Sequence, residues 1–291
     1  TRIEHSAVLG ALEVAAERGA PTRLVGVDAH GFVDPDEVAS AARGCAAGLV
    51  SVQAANNEIG CVQPLAALRP ALRELPDTLL HTDAVQALGR IPLDLAGWGI
   101  DLASFSAHKL GGPAGVGWLW VRRGVELRAP LRGGGQEHGL RPGTEPAALW
   151  SAAALALELT LGEQAQARSR WSGLAVQIWE EIARSVPDAR LHGPAITDAR
   201  RLPNTLNIGL PGVDGKILAM QLDLAGLCAS AGSACASGSA APSHVLLALG
   251  LDEDRARGGL RVSLGWNTSA EDCKRAVEIL RGVAASLRAT R

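Results

Sequence analysis

The chain has 291 residues, 47% of them hydrophobic, and a formal net charge of −2. That length and apolar content suit one large domain or two ordinary ones, and the near-neutral charge gives no basis for a nucleic-acid or membrane surface. No apolar run reaches the roughly 18 residues that a membrane span requires. No signal peptide is visible, and the residues after Thr1 already read as the start of a helix.

From residue 1 to about 125, helical and strand-like stretches alternate. Ser6–Glu17 is expected to be helical, Arg23–Val27 a short strand, and Asp34-Pro35-Asp36-Glu37 opens a helix with a cap, a proline and first-turn acids. Gly48–Gln53 reads as a strand and Pro64–Glu74 as a helix; Thr78–Thr82, Leu102–Ser106 and Gly117–Val121 read as strands. This βα alternation predicts an α/β fold with a mostly parallel sheet, whose ligands lie beyond the carboxyl ends of the strands. After Gly143-Thr144 two long helices are expected, over Pro146–Gly162 and Ala165–Ser185. A strand near Thr205–Ile208, a helix near Lys216–Leu224, a loop over Ala229–Ala241, a strand at Leu260–Leu264 and a helix at Ala270–Leu287 follow. The expected organisation is a large α/β domain over residues 1–145 and a smaller α+β domain over residues 146–291.

Of 28 basic residues only three are lysines, Lys109, Lys216 and Lys274. Lysine forms Schiff bases and arginine does not under ordinary conditions. Lys109 ends an apolar strand in Ser104-Phe105-Ser106-Ala107-His108-Lys109-Leu110-Gly111-Gly112-Pro113, where small residues let a ring approach. Upstream, His81-Thr82-Asp83-Ala84-Val85-Gln86 also ends a strand. An acid there can pair with a pyridine nitrogen and keep it protonated, so that the ring takes up charge from a carbanion. The pair points to pyridoxal phosphate (PLP), with Gln86 at the ring hydroxyl, Ser106 and His108 at the phosphate, Asn57 at the ring hydroxyl or substrate, and His5 on the ring face. Taken alone, His5 reads as a helix-start residue and Asn57 as a turn former.

Five cysteines, Cys45, Cys61, Cys228, Cys235 and Cys273, are odd in number and scattered, which makes no disulfide framework. No Cys-x-x-Cys pair suggests zinc, so no metal is expected, and a reducing, cytoplasmic compartment fits. Cys235 stands in the Gly/Ser-rich stretch Ser230–Ser239, which suits a nucleophile that reaches a cofactor and then presents its product elsewhere. Cys228 follows an apolar segment and is expected to be packed. Arg261 interrupts the apolar strand Leu260–Leu264, where an anion such as a substrate carboxylate would suit it.

Together these stretches resemble the group I cysteine desulfurases of the nitrogen-fixation and iron–sulfur-cluster type, a branch of the fold-type I PLP transferases. The resemblance runs through Glu4-His5-Ser6-Ala7-Val8-Leu9, Asn56-Asn57-Glu58-Ile59-Gly60, Asp83-Ala84-Val85-Gln86, Ser104–Lys109, Gly133-Gly134-Gly135-Gln136-Glu137, Arg141-Pro142-Gly143-Thr144 and Gly232-Ser233-Ala234-Cys235. It implies that Lys109 carries PLP, His5 stacks on it and moves protons, Asp83 and Gln86 hold the ring, and Ser106 and His108 hold the phosphate. Thr144 would reach the cofactor of the partner subunit in a homodimer. Asn57 and Arg261 would bind the carboxylate of L-cysteine, and Cys235 would take its sulfur as a persulfide, leaving L-alanine. The sulfur would pass to an acceptor protein such as an iron–sulfur scaffold, in cluster assembly, tRNA thiolation or DNA phosphorothioation, with no direct nucleic-acid contact.

Two departures stand out. Gln136 replaces the family's histidine, so no role passes to it. The resemblance also implies about 90–100 further residues ahead of Thr1, with a Gly-Thr-Glu-type loop around the PLP phosphate; without them PLP is expected to bind weakly. Two other readings are another PLP lyase or aminotransferase, which gives Cys235 no work, and a truncated, inactive paralogue that serves as a binding partner.

Overall fold

The βα alternation builds a four-stranded sheet in a computed structural model that describes residues 1–232 and 241–289. Helices α1 (Ser6–Glu17) and α2 (Pro35–Gly44) precede β1 (Leu49–Ser51), and α3 (Leu65–Ala71) leads to β2 (Leu79–Asp83), β3 (Leu102–Ser106) and β4 (Gly117–Val121). The order is β1-β2-β3-β4, with the first three parallel and β4 antiparallel to β3. The cap signals act as expected: Asp34 accepts the Asp36 amide and Pro35 takes the first helical position.

Period-two alternation divides this sheet into two faces. Val50, Leu80, Thr82, Ala103 and Phe105 are buried, and the hydrophobic ones join α2 and α3 residues in one core. Ser51, His81, Asp83, Ser104 and Ser106 point the other way, half-buried, toward a cavity. Asp101, just before β3, fastens α3 to the sheet. Its Oδ2 accepts the Leu80 amide at 2.7 Å and pairs with Arg69, and its Oδ1 accepts from Arg122 Nε at 2.7 Å. Burial raises its pKa, but the Leu80 amide and the two guanidiniums outweigh that and hold it below the ordinary value.

Two expectations are corrected here. Residues 23–27 form no strand: the Arg2 amide donates to the Val25 carbonyl at 2.9 Å, but no neighbouring ladder runs beside the segment among the described residues. The two long helices are one, α4 (Ala147–Ser185), 39 residues. Gly162 costs only about 1 kcal/mol in a helix interior, and contacts on both sides offset it. Thr160 donates to the Leu110 carbonyl and Gln164 to the Ile91 carbonyl. Ala153 packs with Ala107 and Val116 beside the first sheet, whereas Trp171, Leu174, Ile178 and Ile182 belong to a second core.

That second core surrounds an antiparallel sheet of β5 (Arg190–Leu191), β6 (Thr205–Gly209) and β7 (Gly259–Ser263), with β6 central and fully buried. Helices α5 (Gly215–Leu224) and α8 (Ala270–Ala289) cover it, and the short helices α6 (His244–Ala248) and α7 (Glu253–Arg257) precede β7. No helix among the described residues is long and apolar enough to cross a membrane.

Candidate active site

Over the open face of β1–β3, from Leu49 and Leu102 to the residues that follow the strands' carboxyl ends, lies a cavity of about 930 Å³. His5, Asn57, Asp83, Gln86, Ser106, His108, Lys109 and Arg261 all line it. These residues come from segments more than 250 positions apart in the chain. Thr144 is exposed and is not in that wall, and Cys235 lies outside the described residues.

Lys109 stands in a 3-10 turn, Ala107–Leu110, directly after β3. Gly111 ends that turn at φ 79°, a left-handed conformation that a side chain would strain. Arg90 donates to the Lys109 carbonyl at 3.1 Å, and burial pushes the Arg90 pKa down to about 10. Ser106 Oγ and His108 Nδ1 are hydrogen-bonded at 2.7 Å. Burial and then the Lys109 charge lower the His108 pKa. Asp83 Oδ1 accepts the Val85 amide at 3.0 Å, which fixes the carboxylate and leaves its other oxygen for a ring N–H.

His5 starts α1 and also faces the cavity. Its Nδ1 accepts the Ala7 amide at 3.2 Å as the cap of α1, and its ring lines the cavity. A neutral His5 therefore carries its proton on Nε2. Arg261 is half-buried, and its Nη1 donates to the Asn57 carbonyl at 3.2 Å, which holds the two prospective carboxylate ligands together.

The described flanks of the cysteine segment are tied to this wall. Ser230 and Arg261 exchange backbone hydrogen bonds of 3.1 and 2.6 Å. Ser243, the cap of α6, donates to Glu58 Oε2 at 2.6 Å, and the His244 ring bonds the Glu4 carbonyl at 3.0 Å. Burial pushes the Glu58 carboxyl up. Cys228 is exposed rather than packed, because it follows the turn that ends α5 instead of continuing its apolar face. Arg90 and the Ser51–His81–Ser104 row went unread in the sequence, and Glu58 was quoted in its motif without a role. His81 was quoted within its motif, but nothing local shows that hydroxyls from neighbouring strands flank it.

The class-V aminotransferase family model matches residues 1–276. The cysteine desulfurase IscS of Clostridium botulinum (strain Kyoto / Type A2) is 39% identical over 280 residues, which cover 96% of this chain and 70% of the relative. The chain belongs to the class-V aminotransferase family, among its cysteine desulfurases. Solved structures agree. A NifS-like protein superposes with a TM-score of 0.89 at 33% identity, covering 98% of this desulfurase and 74% of that chain. DndA from Streptomyces lividans gives 0.74 at 34% identity, covering 90% and 73%. The desulfurase has the mixed α/β fold of the fold-type I PLP enzymes and uses PLP to turn L-cysteine into L-alanine and transferable sulfur. The donor set suits that cofactor: an amine on a rigid turn at Lys109, a fixed carboxylate at Asp83, and hydroxyl and imidazole groups at Ser106 and His108. Among the described residues no His, Cys, Asp and Glu cluster could hold a metal ion.

Proposed function

We propose that Cys235 is the sulfur-accepting nucleophile of this desulfurase and that the residues of the one cavity serve it in the roles expected above. The observation that carries the reading is the convergence of Lys109, Asp83, Gln86, Asn57, Arg261 and His5 on one wall, with both described flanks of the cysteine segment tied to it. Bound PLP supplies an electron-withdrawing ring that stabilises negative charge on the substrate carbon skeleton. Asp83 keeps the ring nitrogen protonated, Gln86 meets the ring oxygen, and Ser106 and His108 meet the phosphate. Arg261 and Asn57 orient the substrate by its carboxylate. His5 Nε2, left over from helix capping, is the group that moves protons. The Cys235 thiolate bonds to the substrate sulfur and the carbon–sulfur bond breaks. Its electron pair stays with carbon, which takes a proton and leaves as alanine.

We place the boundary between the two domains at 145/146, directly ahead of Pro146, the cap of α4. We also propose a homodimer in which exposed Thr144 reaches the neighbour's site, a cytoplasmic location, and an acceptor protein such as an iron–sulfur scaffold.

The test is Cys235→Ser. The variant should bind PLP and L-cysteine with unchanged spectra and lose alanine formation by about 10²-fold or more. Mass spectrometry of the wild type after one turnover should find one added sulfur on the Cys235 peptide. Sulfur on Cys228 or Cys61, or full turnover by the serine variant, would overturn the assignment. Cys61 makes a poor rival, because burial pushes its thiol up to about 12.

A further inference from the structure

Below Asp83, on the same face of the sheet, three side chains form a row that the reaction as described leaves unused. In the β1–β2 register Ser51 stands opposite His81, and in the β2–β3 register Asp83 stands opposite Ser104. His81 thus has Ser51 directly beside it on β1 and Ser104 diagonally across on β3. Its Nδ1 is hydrogen-bonded to Ser51 Oγ at 2.8 Å and its Nε2 to Ser104 Oγ at 2.9 Å. All three line the cavity that holds Asp83 and Lys109. Leu49 and Leu102, the latter beside His81 in the β2–β3 register, also line that cavity.

We propose that His81 is a positioning residue for Asp83: a neutral imidazole, fixed between two hydroxyls, that keeps positive charge away from the carboxylate committed to the cofactor's ring nitrogen. The inference rests on the role given to Asp83 above. A serine hydroxyl both donates and accepts, so the two serines can satisfy a neutral ring, one nitrogen with its proton and the other with its lone pair. Two positions apart on one strand face, the two side chains are coupled. Burial lowers the His81 pKa, and the Asp83 charge pulls it partly back. Coupling is reciprocal: an imidazolium at His81 would draw on the same carboxylate and loosen its hold on the ring proton. Glu4, His5, Arg23, Cys45, His108, Lys109 and Arg261 are the other ionisable groups of the cavity wall. Among the described groups, Asp83 is the charge felt at His81.

The test uses the PLP-loaded protein and reads two signals other than turnover. Ring ¹⁵N shifts of His81 at pH 7 should show one protonated and one bare nitrogen, with a titration midpoint below the ordinary value of ~6.5. An imidazolium at pH 7 overturns the inference. The second signal is the absorbance of bound PLP against pH. His81→Asn is uncharged and should keep the ring-protonated band over the wild-type range. His81→Arg, for which the cavity has room, sets a permanent cation beside Asp83 and should move the loss of that band down by about one pH unit. Coincident profiles for the two variants also overturn it. Asp83→Asn should lose the band altogether. If it does not, the Asp83 assignment fails and this inference with it, whereas loss there with coincident His81 profiles removes this inference alone.

Discussion

The two faces of the four-stranded sheet come from the same strands and meet opposite surroundings. On one face Leu80 and Ala103 are fully buried, and Phe105 stacks on Trp118 with ring centroids 5.4 Å apart. On the other, one residue away along each strand, stand His81, Asp83, Ser104 and Ser106, lining the cavity. The closed face contributes stability and sets register, because a slip of one residue would exchange every side chain between core and cavity. The open face contributes chemistry and gives up apolar burial to do so. Substitutions one position apart should therefore fail in different ways.

The largest effect is expected on the open side. Lys109→Ala should fold normally and lose turnover by at least about 10³-fold. Borohydride should then fix no PLP to the protein, and fixation at Lys216 or Lys274 would refute the assignment. On the closed side, Leu80→Ala should cost about 2–5 kcal/mol in denaturant unfolding, with turnover per folded molecule unchanged. A loss of turnover in step with Lys109→Ala would mean that the two faces are not separable.

Asp101→Asn should cost about 2–3 kcal/mol at neutral pH, since two guanidiniums and the Leu80 amide lose their anion. The sign with pH follows from its depressed pKa. The carboxylate's contribution is complete above the unfolded value of ~3.9 and is lost as pH falls through the lower folded value. The gap between wild type and variant should thus be widest at neutral pH and close under acid; a gap that grows toward acid would reverse the claim. The smallest effect belongs to Thr82, whose buried hydroxyl has no partner among the described residues. Thr82→Val should stabilise the fold by about 1 kcal/mol with turnover unchanged, and thermal unfolding decides it.

Much of this was legible in the sequence because the signals are local. The α1 range, the Asp34 cap, the β3 and β4 ranges and the polar clusters after strands all follow from spacing and capping chemistry. That Lys109 and Asp83 would meet in one cavity was legible because strand ends on a βα scaffold share one edge. The Arg23–Val27 strand was misread because a strand exists only through a neighbour, and propensity does not reveal whether one is present. The break expected in α4 was misread for the same kind of reason: Gly162 weakens a helix locally, and distant carbonyls at Ile91 and Leu110 hold it.

By itself the sequence determined which residues could do the chemistry and on which kind of element each stands. Residue type, alternation and capping act over a few positions and need no partner. Only the tertiary structure decided that His5 caps α1 while its ring faces the cavity, that Arg261 reaches the Asn57 carbonyl across 204 positions, that Glu58 holds Ser243, and that His81 lies between two serines. Each of these depends on the register between strands and on chain segments brought together by burial, as Ile3, Ile59, Val245 and Leu246 are in one cluster, and a burial energy spread over dozens of side chains leaves no mark at any single position.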